Sequence, residues 1–248
     1  MTGEAVVYTH VSPTKETVNE DCAALITYDS NSGLLIIADG LGGQPNGETA
    51  SSEAIDCLAK AVNRAKNNDT PLREAVLNGI EQANKRILND APGAATTLAI
   101  VEIQDNSVRP YHVGDSMILL TGQRGKVKIQ SVAHSPVGYA VESGLLDANE
   151  AIHHEERHLI SNVVGAEDMS VEIGTMRKLA LHDTIIVASD GLFDNLYIDE
   201  IIEIIRKGKL TRAAEQLIQL AGERMQQQNP GLPCHPDDLT FILFRRNR

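Results

Sequence analysis

The order of elements along the chain predicts an α+β fold: two antiparallel β-sheets flanked by paired helices. Apolar runs come as strands, then two helices, then many strands, two more helices and a last strand. Helices that arrive in pairs do not build a parallel doubly wound sheet, which needs them to alternate with strands. Hairpin cues such as Gln104-Asp105-Asn106 and Gln123-Arg124-Gly125 separate successive strands, as antiparallel neighbours require. With 248 residues, the chain can bury a sizeable core without staples, as one large domain or two small ones.

Each element has its own signal. Residues 4–10, EAVVYTH, read as a short strand, and 11–19 as a loop. Asn19-Glu20-Asp21 opens a second strand, CAALITY, closed by the turn-forming run from Asp29 to Gly33. Leu34 to Ala38 is an unbroken apolar run that ends at Asp39 and then enters Gly40-Leu41-Gly42-Gly43. That reads as a buried strand delivering one carboxylate to its end, with a turn tight enough to shed side chains. Thr49 to about Ala65 has Ala50, Ala54, Leu58, Ala61 and Val62 on one helical face. Thr70 as N-cap and Pro71 at the first helical position restart the chain into a helix ending near Asn89. Strands TTLAIVEI, SVRPYHVG, SMILLTG and KVKIQSV follow between about Ala95 and Val132. Residues 133–170 carry His134, His153, His154 and His158 among many glutamates, with few strand signals; a long insertion without its own core is usually functional or mobile. Strands return at VEIGTMR and DTIIVASD, helices at about 198–207 and 211–227, and the strand LTFILFRR closes the chain.

Composition excludes several classes. A net charge of −12 argues against a nucleic-acid partner, which needs clustered Lys and Arg. Its surplus of acids suits solubility, or acids neutralised by bound cations. Cys22, Cys57 and Cys234 are odd in number and widely spaced, which suits a reducing compartment and not a disulfide framework. Neither a signal peptide nor an apolar run of about 18 residues is visible, so a cytoplasmic protein with no membrane partner is expected.

Four acids sit at strand ends. Asp39 and Asp190 follow apolar runs; Asp21 and Asp237 precede them. In antiparallel neighbours the end of one strand lies beside the start of the next, so these four can meet at one edge of the core. Such a cluster would repel itself, and divalent cations would remove the penalty. All-oxygen ligands favour Mg²⁺ or Mn²⁺ over zinc. Asp-Gly alone is a commonplace turn. What lifts the metal reading is that strand-then-Asp-Gly-Leu occurs twice, with Asn-Glu-Asp and Pro-Asp-Asp opening two other strands.

Together these stretches resemble the metal-dependent Ser/Thr protein phosphatases of type 2C, in their compact bacterial form. The matching segments are Asn19-Glu20-Asp21, ADGLGG (38–43), GAATTLAIVEI (93–103), HVGDSMILL (112–120), VASDGLFDNL (187–196) and PDDLTFILF (236–244), in the family's order from near the start to the end of the chain. The resemblance implies a four-layer αββα sandwich, residues 1–248 forming a single catalytic domain with a flap at about 133–170. It implies two bound Mg²⁺ or Mn²⁺ ions, and a third more weakly held. Asp39 matches the carboxylate bridging the two metals and the Gly40 carbonyl a backbone ligand. Asp21, Asp190 and Asp237 match the other metal aspartates, and Glu20 an acid acting through metal-bound water. Asp115 matches a ligand of the third metal. Asp237 is chosen over Asp238 because the family pattern is Asp, polar, apolar, Ser/Thr.

The implied reaction is hydrolysis of phosphoserine and phosphothreonine in proteins by a monomer, in opposition to a Ser/Thr kinase. In that reaction two cations about 3.5–4 Å apart would acidify a water for in-line attack on phosphorus. Gly40, Gly42 and Gly43 are read as clearing space for metal and phosphate. No Cys is followed six positions later by Arg, which excludes a cysteine phosphatase; the glycine turn lacks the Gly-Lys-Ser/Thr of a Walker loop, and Pro45 stands where a dinucleotide loop needs its third Gly. Three positions depart from the family. Many relatives place a phosphate-gripping Arg where this chain has Glu16, leaving Lys15 as the candidate for that role. Met117 replaces an Arg, and Leu41 a His found in some eukaryotic members. Glu16 motivates a second reading, a phosphatase-fold signalling or binding module with little turnover. A remote third is a zinc peptidase, since His154-Glu155-Glu156-Arg157-His158 satisfies H-E-x-x-H, which on a helix capped by Asp147 would place both His on one face.

Overall fold

The computed structural model describes residues 2–41, 46–227 and 229–246. In chain order the elements are β1 (Glu4–His10), β2 (Asp21–Thr27), β3 (Ser32–Asp39), α1 (Gly47–Asn68), α2 (Leu72–Asp90), β4 (Leu98–Gln104), β5 (Ser107–Val113), β6 (Met117–Thr121), β7 (Val127–Gln130), α3 (Pro136–Glu142), α4 (Ala148–Ala151), β8 (Glu172–Ile173), β9 (Arg177–Lys178), β10 (Thr184–Ala188), α5 (Asp190–Phe193), α6 (Ile198–Ile205), α7 (Leu210–Gln226) and β11 (Leu239–Arg245). One sheet runs β1-β11-β10-β6-β7; the other runs β2-β3-β4-β5-β8, with β9 also pairing β5. The pairings are antiparallel.

Side-chain alternation sorts the core into three layers. On β3, Leu34, Ile36 and Ala38 pack with α1 and α2, whose Ala54, Leu58, Val62, Val76 and Ile80 supply the helical face. Leu35 and Ile37 point the other way, into a layer with Val101 of β4, Ile118 of β6, Val187 of β10 and Ile242 of β11. The opposite faces of β10 and β11 carry Ile186 and Leu243 against α6 and α7. The order is therefore helices, sheet, sheet, helices, as the sequence leads one to expect. The unbroken apolar run of β3 follows from burial on both faces.

Local details differ from the sequence reading. Pro71, with ψ 139°, stands just outside α2 instead of at its first turn. Thr70 does not cap that helix; its amide closes the end of α1 on the Ala65 carbonyl, past a left-handed Asp69 (φ 53°). The VEIGTMR strand is split into β8 and β9 because Pro110 of β5 faces the gap. Its carbonyl accepts from Gly174 N–H at 3.0 Å, and on that same side it has no N–H to return. Residues 133–170 hold two short helices joined by turns and bends. Among the described residues, no helix is long and apolar enough to cross a membrane.

Candidate metal centre

Alternation places the acids. Asp39 shares its face of β3 with Leu35 and Ile37, so it points between the sheets, one step beyond the dry core. Asp21 is its register partner on β2. A belt of hydroxyls separates core from acids. Ser189, next on the inward face of β10 after Val187, donates to Asp21 Oδ2 at 2.8 Å and so links the two sheets. Thr97 Oγ1 meets Ser116 Oγ at 2.6 Å across the same gap. Asp190 begins α5 immediately after Ser189. Asp237 lies just before β11, and Asp115 in the turn between β5 and β6.

Burial and mutual repulsion shift these carboxyls upward. Asp39 lies well above the usual range, first through burial and then through Asp21, Asp190, Asp115 and Asp237. Asp190 is raised likewise, by burial and then Asp115, Asp194, Asp237 and Asp21. Burial, then Asp194, pushes Asp115 up to about 7. Burial pushes Asp21 up to about 6, opposed by the hydroxyls of Ser189 and Thr240. Asp115 Oδ1 is buried and, among the described residues, has no hydrogen-bond partner. A half-buried cluster of acids with an orphaned oxygen fits divalent cations and little else.

The two adjacent aspartates divide cleanly. Asp238 is buried and its oxygens are occupied by Ser12 N–H (2.8 Å), Glu20 N–H (2.8 Å) and Lys15 Nζ (2.9 Å). Asp237 is half exposed, and its Oδ1 accepts the Asp238 N–H at 2.7 Å. Lys15 also pairs with Glu20 at 2.6 Å and lies 4.0 Å from Asp237. It therefore borders the site but is bound to acids. Glu16 is exposed.

Gly40 requires a correction. A Cβ there would collide with the Gly47 carbonyl at the start of α1 and lie 2.9 Å from the Glu20 carbonyl. The missing side chain permits backbone to pack on backbone; it does not open room for phosphate. Gly42, Gly43 and Pro45 lie outside the described residues. The H-E-x-x-H reading also fails locally. α4 ends at Ala151, and His154, Glu155 and His158 fall in the loop and turns beyond it, so no helical face unites the two His. Asp147 does cap α4, accepting from Asn149 N–H at 2.8 Å.

Two side chains at the site went unassigned in the sequence reading. Asp194 lies one helical turn beyond Asp190 and is raised by burial. Arg157, from the 133–170 segment, bonds it at 2.9 Å. The i, i+4 spacing of Asp190 and Asp194 could have signalled the first; nothing local signals the second. A cavity of about 530 Å³ opens beside them, lined by Asp115, Asp190 and Asp194 together with Val137, Val141 and Ile152.

Residues 12–228 match a family model described as protein phosphatase 2C. Protein phosphatase PhpP of Streptococcus pneumoniae is 30% identical over 216 residues, covering 84% of this chain and 87% of that one. The solved serine/threonine phosphatase of S. agalactiae superposes with a TM-score of 0.81 at 26% identity, covering 99% of this chain and 100% of its own. Serine/threonine phosphatase Stp1 from Staphylococcus aureus gives 0.83 at 25% identity, covering 100% and 96%.

Proposed function

This chain belongs to the protein phosphatase 2C family, and on that premise we propose that it is a metal-dependent phosphatase of phosphoserine and phosphothreonine in proteins. The observation that carries the site is the convergence of Asp21, Asp39, Asp115 and Asp190 above the hydroxyl belt, with carboxyls raised by burial and one another's charge. Asp21, Asp39, Asp190, Asp237 and the Gly40 carbonyl would hold two Mg²⁺ or Mn²⁺ ions, with Glu20 acting through water and Asp115 holding a third. Bound there, the ions would supply an acidified water and charge for the phosphoryl oxygens.

The chain's own residues do the rest. Ser189 fixes the Asp21 carboxylate across the sheet gap. Asp238 takes up Lys15 and two backbone amides, which leaves Asp237 the more exposed of the pair. Lys15, paired with Glu20, and Arg157, paired with Asp194, are cations that border the acids, and they are candidates to steady the substrate phosphate. We assign the whole chain to one catalytic domain and residues 133–170 to a flap beside the metals. We infer a monomeric, cytoplasmic enzyme that opposes a Ser/Thr kinase; of these, the three unpaired cysteines bear on the compartment alone, which they mark as reducing.

Hydrolysis of an aryl phosphate, stimulated by Mn²⁺ and abolished by EDTA, tests the proposal; full activity in chelator would overturn it. The low-turnover reading is favoured by the engagement of Lys15 with Glu20 and Asp238. Metal binding without hydrolysis of any phosphopeptide would decide for it.

A further inference from the structure

Beyond the aspartates, another set of titratable side chains meets at His112, His134 and Glu172, whose ligand-capable atoms all lie within 4.8 Å of one another. Two His and a carboxylate are a donor set for zinc, but the proton positions oppose it. Nδ1 of His134 accepts from Gly114 N–H at 3.1 Å and from Asn162 Nδ2 at 2.8 Å. Asn162 cannot turn round, because its Oδ1 accepts from Ser170 N–H and its Nδ2 donates to the Ser170 carbonyl. Two donors on Nδ1 need its lone pair, so the ring proton sits on Nε2, where it donates to Glu172 Oε2 at 3.2 Å. A cation on Nε2 would strip that proton while Nδ1 still faced donors. Neither His112 nitrogen has a hydrogen-bond partner among the described residues, and its ring lies against His134 with centroids 4.3 Å apart.

The His134 ring holds backbone. Its residue binds both polar groups of Gly114: Nδ1 accepts the Gly114 N–H, and the His134 N–H donates to the Gly114 carbonyl at 2.8 Å. Gly114 has φ +101°, and a Cβ there would lie 2.7 Å from Thr97. The turn is thus set from two sides, and the next residue is Asp115, with its orphaned Oδ1. The His134 carbonyl meanwhile accepts the Ser161 N–H at 2.8 Å and the Ser161 hydroxyl at 2.9 Å. Ser161 and Asn162, from the later part of the 133–170 segment, therefore close on His134 near its start.

We propose that His134 is a positioning residue that fixes the Asp115 carboxylate for a cation and ties that position to the base of the flap. This rests on the metal-centre reading above. In His134→Asn, an amide oxygen can replace Nδ1 as acceptor for Gly114; in His134→Gln the amide sits near the place of Nε2 and Gly114 loses its acceptor. Calorimetric titration with Mn²⁺ should show the Gln variant binding its weakest ion about tenfold less tightly than wild type. The Asn variant should restore most of that affinity. Turnover should follow, kcat falling in the Gln variant with substrate KM little changed. In the metal-free protein, nitrogen NMR should show His134 Nδ1 unprotonated, and Gly114 amide exchange should speed up in the Gln variant alone. Equal losses in both variants, tracking their melting temperatures, would overturn the proposal. So would one equivalent of zinc released by Glu172→Ala. Wild-type protein that binds Mn²⁺ but hydrolyses no phosphoester would sink the phosphatase reading, while the comparison of Mn²⁺ affinities would still judge His134.

Discussion

Asp39 shows how one residue can be unfavourable to the fold and central to the site. Its carboxyl is raised by burial and by four neighbouring acids. Asp39→Ala and Asp190→Ala should each lower phosphatase activity by about 10²-fold or more. Both should stay folded and, in EDTA, melt at higher temperature than wild type, because each removes a repelled charge. A lower melting temperature in EDTA would show that the acids stabilise the metal-free fold. Lys15 behaves differently, since it satisfies buried Asp238. Lys15→Ala should cost about 1–3 kcal/mol in urea unfolding, the loss expected when a buried acceptor loses a charged partner. Glu16→Arg touches no such network. It should raise kcat/KM if phosphate lacks a grip, and leave it unchanged if Lys15 or Arg157 supplies one. At this scale the sequence was legible where a carboxylate stood at a strand end. Arg157 was hidden because its partner Asp194 lies 37 residues away in the chain.

At the scale of elements, the acids depend on where strands stop. β3 ends at Asp39, and the chain must then pass α1 closely enough that Gly40 meets the Gly47 carbonyl. Gly191 meets the Asp238 carbonyl in the same way at the start of α5. Gly40→Ala and Gly191→Ala should each destabilise by about 1–3 kcal/mol, as overpacking does, with urea midpoints as the measure. Neutral substitutions would mean the backbone can move apart at no cost. Strands and long helices were readable because their period repeats along the chain. The division of VEIGTMR was not, because it depends on which edge of β5 Pro110 presents. Nor was the loss of the Thr70 cap, since that amide was already committed to ending α1.

For the whole molecule, the site's charge links metal, pH and stability. Asp115 and Asp21 have folded-state carboxyls near 7 and 6, above the ordinary value of 3.8. Well below pH 3.8 these groups are protonated in folded and unfolded chains alike. As pH rises to 7 the unfolded chain releases those protons first, so the metal-free protein loses stability across that window. Melting temperature in EDTA should therefore fall between pH 5 and 7.5, and saturating Mg²⁺ should reverse the fall. A flat profile in EDTA would contradict the repulsion. The sequence by itself determined two antiparallel sheets flanked by paired helices and the four strand-end aspartates, because the order of periodic elements and a terminal carboxylate are local patterns. Tertiary structure alone decided that Asp238 is consumed by Lys15, that Arg157 reaches Asp194, and that His134 holds Gly114. Those contacts join residues far apart in the chain, and hydrogen-bond geometry across such distances leaves no period for a sequence to display.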